Sequence, residues 1–499
     1  MNLLRFVALL LATVIVAQQE IRFTVNLNDR SDDTFKVSLE VNSLNSDNDI
    51  YQFAATAPGT YQTMNIGRYV KNFKAMDSNG KEIKTEKVSI NQYKISDPKS
   101  VKRVAYEISE TWDTPVTEDP IYLMCGSSIE NDHALINGQT VFGYFKGMQV
   151  SPIHLTIQHP ADWKVGTALK QNKDGSFQAN NYDHIVDSPI LLGRLTRAET
   201  DVEGSLVEIY TYSKTDKIVS DSLMKAMKDM LYAASKFIGG LPVDRYTFIY
   251  HFEDKTNGAW EHSFSSEYVY KEQDYTPGFG QTMTDVAAHE FFHIVTPLNI
   301  HSEIIEQFNF VEPTASEHLW LYEGTTEWAS YMMQLQGKMI TLDDYLKMLQ
   351  QKINVEQKVF DTSYTLSQLA MNSFSEAGQK QYGNIYFRGA LVAGLLDILL
   401  LDKSNGNRSY RDVIVELSKK YGQKKAFSEK TFFTDFTTMT YPEVMDFFNR
   451  YVKKAEPLPF KDYYQKIGID YDAETHQFSQ AKSLTAHQKK LQAAWMRSN

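Results

Sequence analysis

Residues 289 to 293 read His-Glu-Phe-Phe-His, and a segment carrying a well-placed acid, Leu-Trp-Leu-Tyr-Glu-Gly, follows at 319 to 324. On a helix, residues four apart share a face, so His289 and His293 aim their imidazoles at one point, with Glu290 about 100° round the axis. The pattern predicts a mononuclear zinc centre, one ion per chain, suited to hydrolysis. Zinc in such centres takes three protein ligands and keeps its fourth position for water, so one ligand must come from outside the pentapeptide. Glu323 is the expected donor, carried on a second helix that opens near Ser316 and runs from Leu319 to Gln336. His301, His318, Glu303, Glu306 and Glu317 are rivals, read as solvated residues of the connecting loop. Thr296 and Asn299 exclude the longer HExxHxxGxxH pattern. Thr284 or Asp285 is expected to cap the first helix and Pro297 to stop it. Glu327, one turn beyond Glu323, is placed to accept the remaining N–H of a ligand histidine; an exposed helix glutamate fits its spacing equally well.

The 499 residues, 42% hydrophobic and 13% aromatic, suffice for two or three packed domains. A formal net charge of −11 leaves no basic surface for tracking phosphates, so nucleic acid is excluded as a partner. Met1 to Arg5 is a basic start, Phe6 to Val16 an apolar run, and Ala17 a small residue before polar Gln18. This reads as a signal peptide over 1–17, too short to span a bilayer, leaving no membrane anchor once removed and implying export to the periplasm or beyond. Cys125 is the one cysteine, so no intramolecular disulfide is possible and a buried apolar role is expected for it.

The hydrophobic period changes along the chain. From 18 to 196 it alternates as strands do, in Ile21, Phe23 and Val25, in Phe35, Val37, Leu39 and Val41, and in Val104, Tyr106 and Ile108. A β-sandwich-like domain is expected there, one that shapes a wall of the cleft. Residues 197–401 mix a helix from Ser220 to Phe237 and a strand from Tyr246 to Phe252 with the two motif helices, and 402–499 repeat at helical spacing. The fold class is therefore multidomain α+β, with β domain, zinc catalytic domain and C-terminal helical region in that order.

Upstream of the metal motif, Asn257-Gly258-Ala259-Trp260-Glu261-His262-Ser263 resembles the Gly-Gly-Leu-Glu-His motif of the glycyl aminopeptidase-like zinc metallopeptidases, peptidase family sixty-one of the gluzincin clan. It is also similar to the GAMEN motif of the larger zinc aminopeptidases, with Trp for Met and His for Asn. Tyr386-Phe387-Arg388-Gly389 resembles the Tyr-x-Lys-Gly signature of both groups, with Arg for Lys. Pro58-Gly59-Thr60-Tyr61, Tyr69 to Gly80 and Val186-Asp187-Ser188-Pro189 are similar to landmarks of the family's β domain, so the likeness runs from about 20 to 470. Many relatives carry a PDZ domain after the helical region; too few residues follow Pro459-Phe460 here for one to be expected.

The resemblance implies a thermolysin-like catalytic domain and an aminopeptidase acting on peptides with a free N-terminus. It implies that Glu261, with Gly258 and Ala259, binds the substrate's amine end and that Tyr386 hydrogen-bonds the oxyanion, Tyr382 one turn earlier being the alternative. Glu290 is then the general base. The family name suggests small first residues, Gly or Ala, and Trp260 would narrow the first pocket. An endopeptidase on the same scaffold and a catalytically dead peptide-binding protein are the two other readings.

Overall fold

The computed structural model describes residues 20–114, 118–422 and 425–497. The expected signal segment lies outside them. The alternating residues of the N-terminal half do form strands, because period-two apolar residues bury one face of a pleated chain. Ile21, Phe23 and Val25 on the strand Ile21–Asn26 are all at most 2% exposed, while Arg22 between them is exposed. This strand sits fourth in an eight-stranded sheet, parallel to Ile153–Gln158 and antiparallel to Thr34–Val41. Two four-stranded sheets accompany it, one holding His133–Ile136 between Ser128–Ile129 and Ile190–Gly193. Tyr51, Phe53, Phe73 and Tyr106 pack edge to face and tilted in the common core.

A mixed five-stranded sheet follows, in the order Thr196–Val202, Ser205–Ser213, Arg245–Glu253, Ser265–Lys271, Gly258–Glu261. Gly258–Glu261 is thus an edge strand, antiparallel to its one neighbour. The helix Ser220–Ile238 crosses between two parallel strands and packs on the helices Pro277–Phe292 and Thr325–Gln336.

Three helix boundaries differ from expectation, one being the end of the metal-motif helix, which stops at Phe292 with His293 as its cap, ahead of Pro297. Thr276, not Thr284 or Asp285, caps the helix Pro277–Phe292: its side chain accepts the Phe279 N–H, and Pro277 fills the first turn. A Thr-Pro start outranks a polar residue nearer the motif, because proline's fixed φ is pre-organised there; Thr284 instead donates its hydroxyl to Gly280 O within the helix. The segment after Leu319 opens as a π-helical turn, Trp320–Gly324, and only from Thr325 to Gln336 continues as an α-helix. Such a turn admits one extra residue, and π turns concentrate at functional sites.

The helix Asn384–Lys403 is long and apolar enough to cross a membrane, yet nearly all of it is buried inside the protein, as a core helix is. Beyond it, among the described residues, come five more α-helices, from Tyr410–Lys420 to Ala486–Met496, and a small hairpin, Ile469–Tyr471 with Phe478–Gln480, that helical spacing had not indicated.

Candidate metal centre

His289 lies in the last turn of Pro277–Phe292 and His293 is the residue that ends it, so the two rings meet at 5.0 Å and 78°. The π turn delivers Glu323 against both: its Oε2 is 3.4 Å from His289 Nε2 and 3.6 Å from His293 Nε2. An edge of a tetrahedron built on bonds of 2.0–2.1 Å measures about 3.4 Å, so the three donors fit one zinc ion. All three are buried, at 8%, 1% and 3% exposure.

The imidazoles are oriented from behind. His293 Nδ1 donates to Thr296 O at 2.9 Å, and since a carbonyl only accepts, the Nε2 lone pair faces Glu323. His289 Nδ1 donates to Glu327 Oε2 at 2.7 Å. Burial alone would raise the Glu327 carboxyl, but the Lys352 ammonium and His289 hold it down at about 2. Lys352 bonds the other oxygen, Oε1.

Lys352 was missed in the sequence, although a signal for it exists. On the helix Leu342–Val359 the buried stripe reads Tyr345, Leu349, Lys352, Ile353 and Glu356, placing two charges on an apolar face. Lys352 meets Glu327 and Glu356 meets Arg388 Nη1 at 2.7 Å. Arg388, the residue that departs from the Tyr-x-Lys-Gly signature, therefore braces two helices.

Glu290 and Glu261 complete the acid cluster. Each has an oxygen within 4.8 Å of the other's and of a His293 nitrogen. Burial is the main cause that lifts the Glu290 carboxyl to about 7, opposed by His289 and aided by Glu323. Burial, then Glu323 and Glu290, push Glu261 well above the ordinary range. Glu261 is itself buried, at 8% exposure. Three carboxylates in one small space repel one another unless cations join them.

These groups line a cavity of about 80 Å³. Its walls come from both halves of the chain: Gly59, Thr60, Tyr122, Met124 and Cys125 from the β half, and Ala259, Trp260, Tyr382 and Tyr386 from the other. Gly258 stands just behind, where a Cβ would lie 2.7 Å from Met124 Sδ. Gly59 adopts φ +79°, and a Cβ there would lie 2.6 Å from Glu261 Oε1, so only glycine lets the loop cover that carboxylate. Tyr386 lies with its ring 5.5 Å from that of His289, and burial, then Glu323, raise its phenol so that it stays a donor. Tyr382, its alternative, lines the same cavity. Cys125 is buried as expected, at 1% exposure, but it stands in the wall of this polar cavity.

The rival ligands lie elsewhere, and two are not solvated. His318 is fully buried among Phe427, Phe432 and Phe433, its Nε2 bonded to Glu429 O at 2.9 Å, and His301 is 5% exposed. Packing of the C-terminal helices over the loop accounts for both. Glu303 Oε2 accepts the Glu429 N–H, Glu317 Oε1 accepts from Ser367, and Glu306 is exposed.

The model of the peptidase M61 N-terminal domain matches residues 22–194 and that of M61 glycyl aminopeptidase matches 282–392, together more than half of the chain. Among solved structures, an aminopeptidase N family protein from Idiomarina loihiensis is similar with TM-score 0.79 and 20% identity, over 90% of this chain and 78% of that one. An M1 zinc metallopeptidase from Deinococcus radiodurans matches with TM-score 0.55 and 13% identity, over 88% of this chain and 94% of that one. A mutant of it bound to a Tyr-Ser-Ala substrate matches with TM-score 0.52 at 13% identity, with the same 88% and 94% coverage. At these identities the likeness is one of fold. No curated protein matches the chain. With the β half and the histidine-glutamate centre each falling inside a family model, the chain belongs to the M61 glycyl aminopeptidase family and is a zinc metallo-aminopeptidase.

Proposed function

We propose that this enzyme is exported and removes small N-terminal residues from peptides, with Glu261 reading the free amine and Glu290 moving the proton. The observation that carries the reading is the convergence of Glu261, Glu290 and His293 within 4.8 Å in a buried pocket. Two cations suit that excess of carboxylate, a metal at the histidines and an α-ammonium at Glu261. A zinc ion held by His289, His293 and Glu323 supplies Lewis acidity toward the scissile carbonyl and toward water.

The side chains do the rest. Ala259 to Glu261 line the cavity from the outermost strand of the sheet, so an extended peptide has main-chain partners there. Glu261 then fixes the amine at one distance from the reacting bond. Glu290, with its carboxyl near 7, accepts the proton of the attacking water and passes it to the departing amine. Tyr386 keeps its proton and offers it as a hydrogen bond to the oxyanion. A cavity of about 80 Å³, narrowed by Trp260 and Met124, suits Gly or Ala in first place.

The test compares free and N-acetylated peptides on the wild type and on Glu261→Gln. Loss of one charge-assisted contact should cost about 10- to 100-fold in kcat/KM on free peptides and little on blocked ones. Equal loss on both would favour an endopeptidase and overturn the amine-reading role. Export rests on the leader-like residues 1–17, and N-terminal sequencing of protein recovered outside the cytoplasm checks it.

A further inference from the structure

Away from the catalytic pocket, a second group of two histidines and a glutamate has donor atoms within 4.8 Å of one another: His133, His251 and Glu253. His251 and Glu253 lie two apart on the strand Arg245–Glu253 and so project from the same face. His133 comes from the strand His133–Ile136 of a separate sheet. All three are buried, at 2%, 0% and 6% exposure for His133, His251 and Glu253.

The geometry repeats that of the first centre. His133 Nε2 is 3.4 Å from Glu253 Oε1, matching the 3.4 Å between His289 and Glu323. The two rings stand 4.8 Å apart at 71°, against 5.0 Å and 78° in the first centre. An outer carboxylate again holds Nδ1, Asp132 Oδ1 at 2.9 Å from His133. Lys214 Nζ binds the other oxygen of Glu253 at 3.2 Å, and Arg194 lies 3.7 Å from Asp132.

His251 is the decisive residue. Neither of its ring nitrogens, nor His133 Nε2, has a hydrogen-bond partner, although all three atoms are buried. An imidazolium at His133 held between Asp132 and Glu253 would explain two of the residues and leave His251 with two orphaned polar atoms, stripped of water with nothing in exchange. We propose that His133, His251 and Glu253 form a second divalent-metal site, of the zinc class by its two-nitrogen, one-oxygen donor set. Trp112 stacks on His251 at 4.8 Å and Tyr212 on His133 at 3.8 Å, closing the site to substrate. Its work is structural: it staples the sheet of the β half that carries His133 to the five-stranded sheet.

The test is zinc content by mass spectrometry after equilibration in zinc-buffered solution. The full chain should hold two equivalents, Glu323→Ala one, and His251→Gln one with peptidase turnover retained. Glu253→Gln is the second variant should His251→Gln not fold. Because Glu323→Ala lacks the catalytic ligand set, chelator should still lower its Tm by several degrees, since a ligand bound only to the folded state stabilises it. One equivalent in the wild type that Glu323→Ala abolishes, two equivalents that both second-site variants retain, or a Tm unmoved by chelator would each overturn the proposal. None of these outcomes bears on which peptides the enzyme cuts.

Discussion

The clusters His289, His293, Glu323 and His133, His251, Glu253 have the same donor types, similar ring angles and an outer carboxylate behind a histidine. Their surroundings differ. The first opens on a cavity with Glu290, Glu261 and Tyr386 on its walls; the second is roofed by Trp112 and Tyr212. A ligand set therefore does not make a catalyst. Reaction needs room for substrate and a proton carrier beside the donors.

Making the first cluster resemble the second is the strongest way to test this contrast. Glu290→Gln removes the proposed proton carrier and keeps the donors, so turnover should fall by about 10³-fold or more with zinc content unchanged. Near-normal turnover would refute the assignment of the base. Next, the outer carboxylates can be set against each other. Glu327 is held by Lys352, with a side chain only 16% exposed, whereas that of Asp132 is 53% exposed. Glu327→Ala should weaken zinc at the first cluster by about 10- to 100-fold, and Asp132→Ala should cost the second cluster less. The reverse order in competition with a chelator would show that burial of the outer acid is not what matters.

The smallest effect concerns a buried acid with no cation in contact among the described residues. Burial is the main cause lifting Asp397 to about 7 in the fold, against an ordinary 3.8, while the Tyr410 N–H opposes it. A folded value above the unfolded one means that this contribution is present below about pH 4 and lost as pH rises through about 7. Asp397→Asn keeps an oxygen for the Tyr410 N–H, so the variant's Tm should gain on the wild type between those limits. Parallel Tm curves across that range would rule out the ionisation of Asp397 as a source of instability.

What the sequence made legible was what local periodicity encodes. Alternation marked the strands around Phe23, Val37 and Tyr106, and helical spacing brought His289, His293 and, from the next segment, Glu323 to one place. Glu327 also reached His289, a contact that spacing permitted and only packing decided. Other features depend on tertiary closure. The π turn at Trp320–Gly324 has no marker at the level of apolar period. The wall built by Gly59, Tyr122 and Met124 exists only once the β half is docked, with Gln379 Nε2 bonded to Tyr61 O at 2.7 Å and Gln379 Oε1 accepting from Tyr122 at 3.1 Å. The second histidine cluster joins strands of different sheets, and no short motif announces it.

Beneath the centre, the π turn and the helix of Tyr386 meet at two glycines: a Cβ on Gly324 would lie 2.7 Å from Gly389 Cα, and one on Gly389 2.8 Å from Gly324 Cα. Main chain rests on main chain there, with no side chain to shorten or swap. The separation between Glu323 and Tyr386 is in that sense inelastic, and gradual retuning through that floor is closed to selection. If the proposed preference for a small first residue holds, adaptation toward a larger one is left to other walls of the cavity, such as Met124 and Trp260, which can be traded for smaller neighbours without disturbing that spacing.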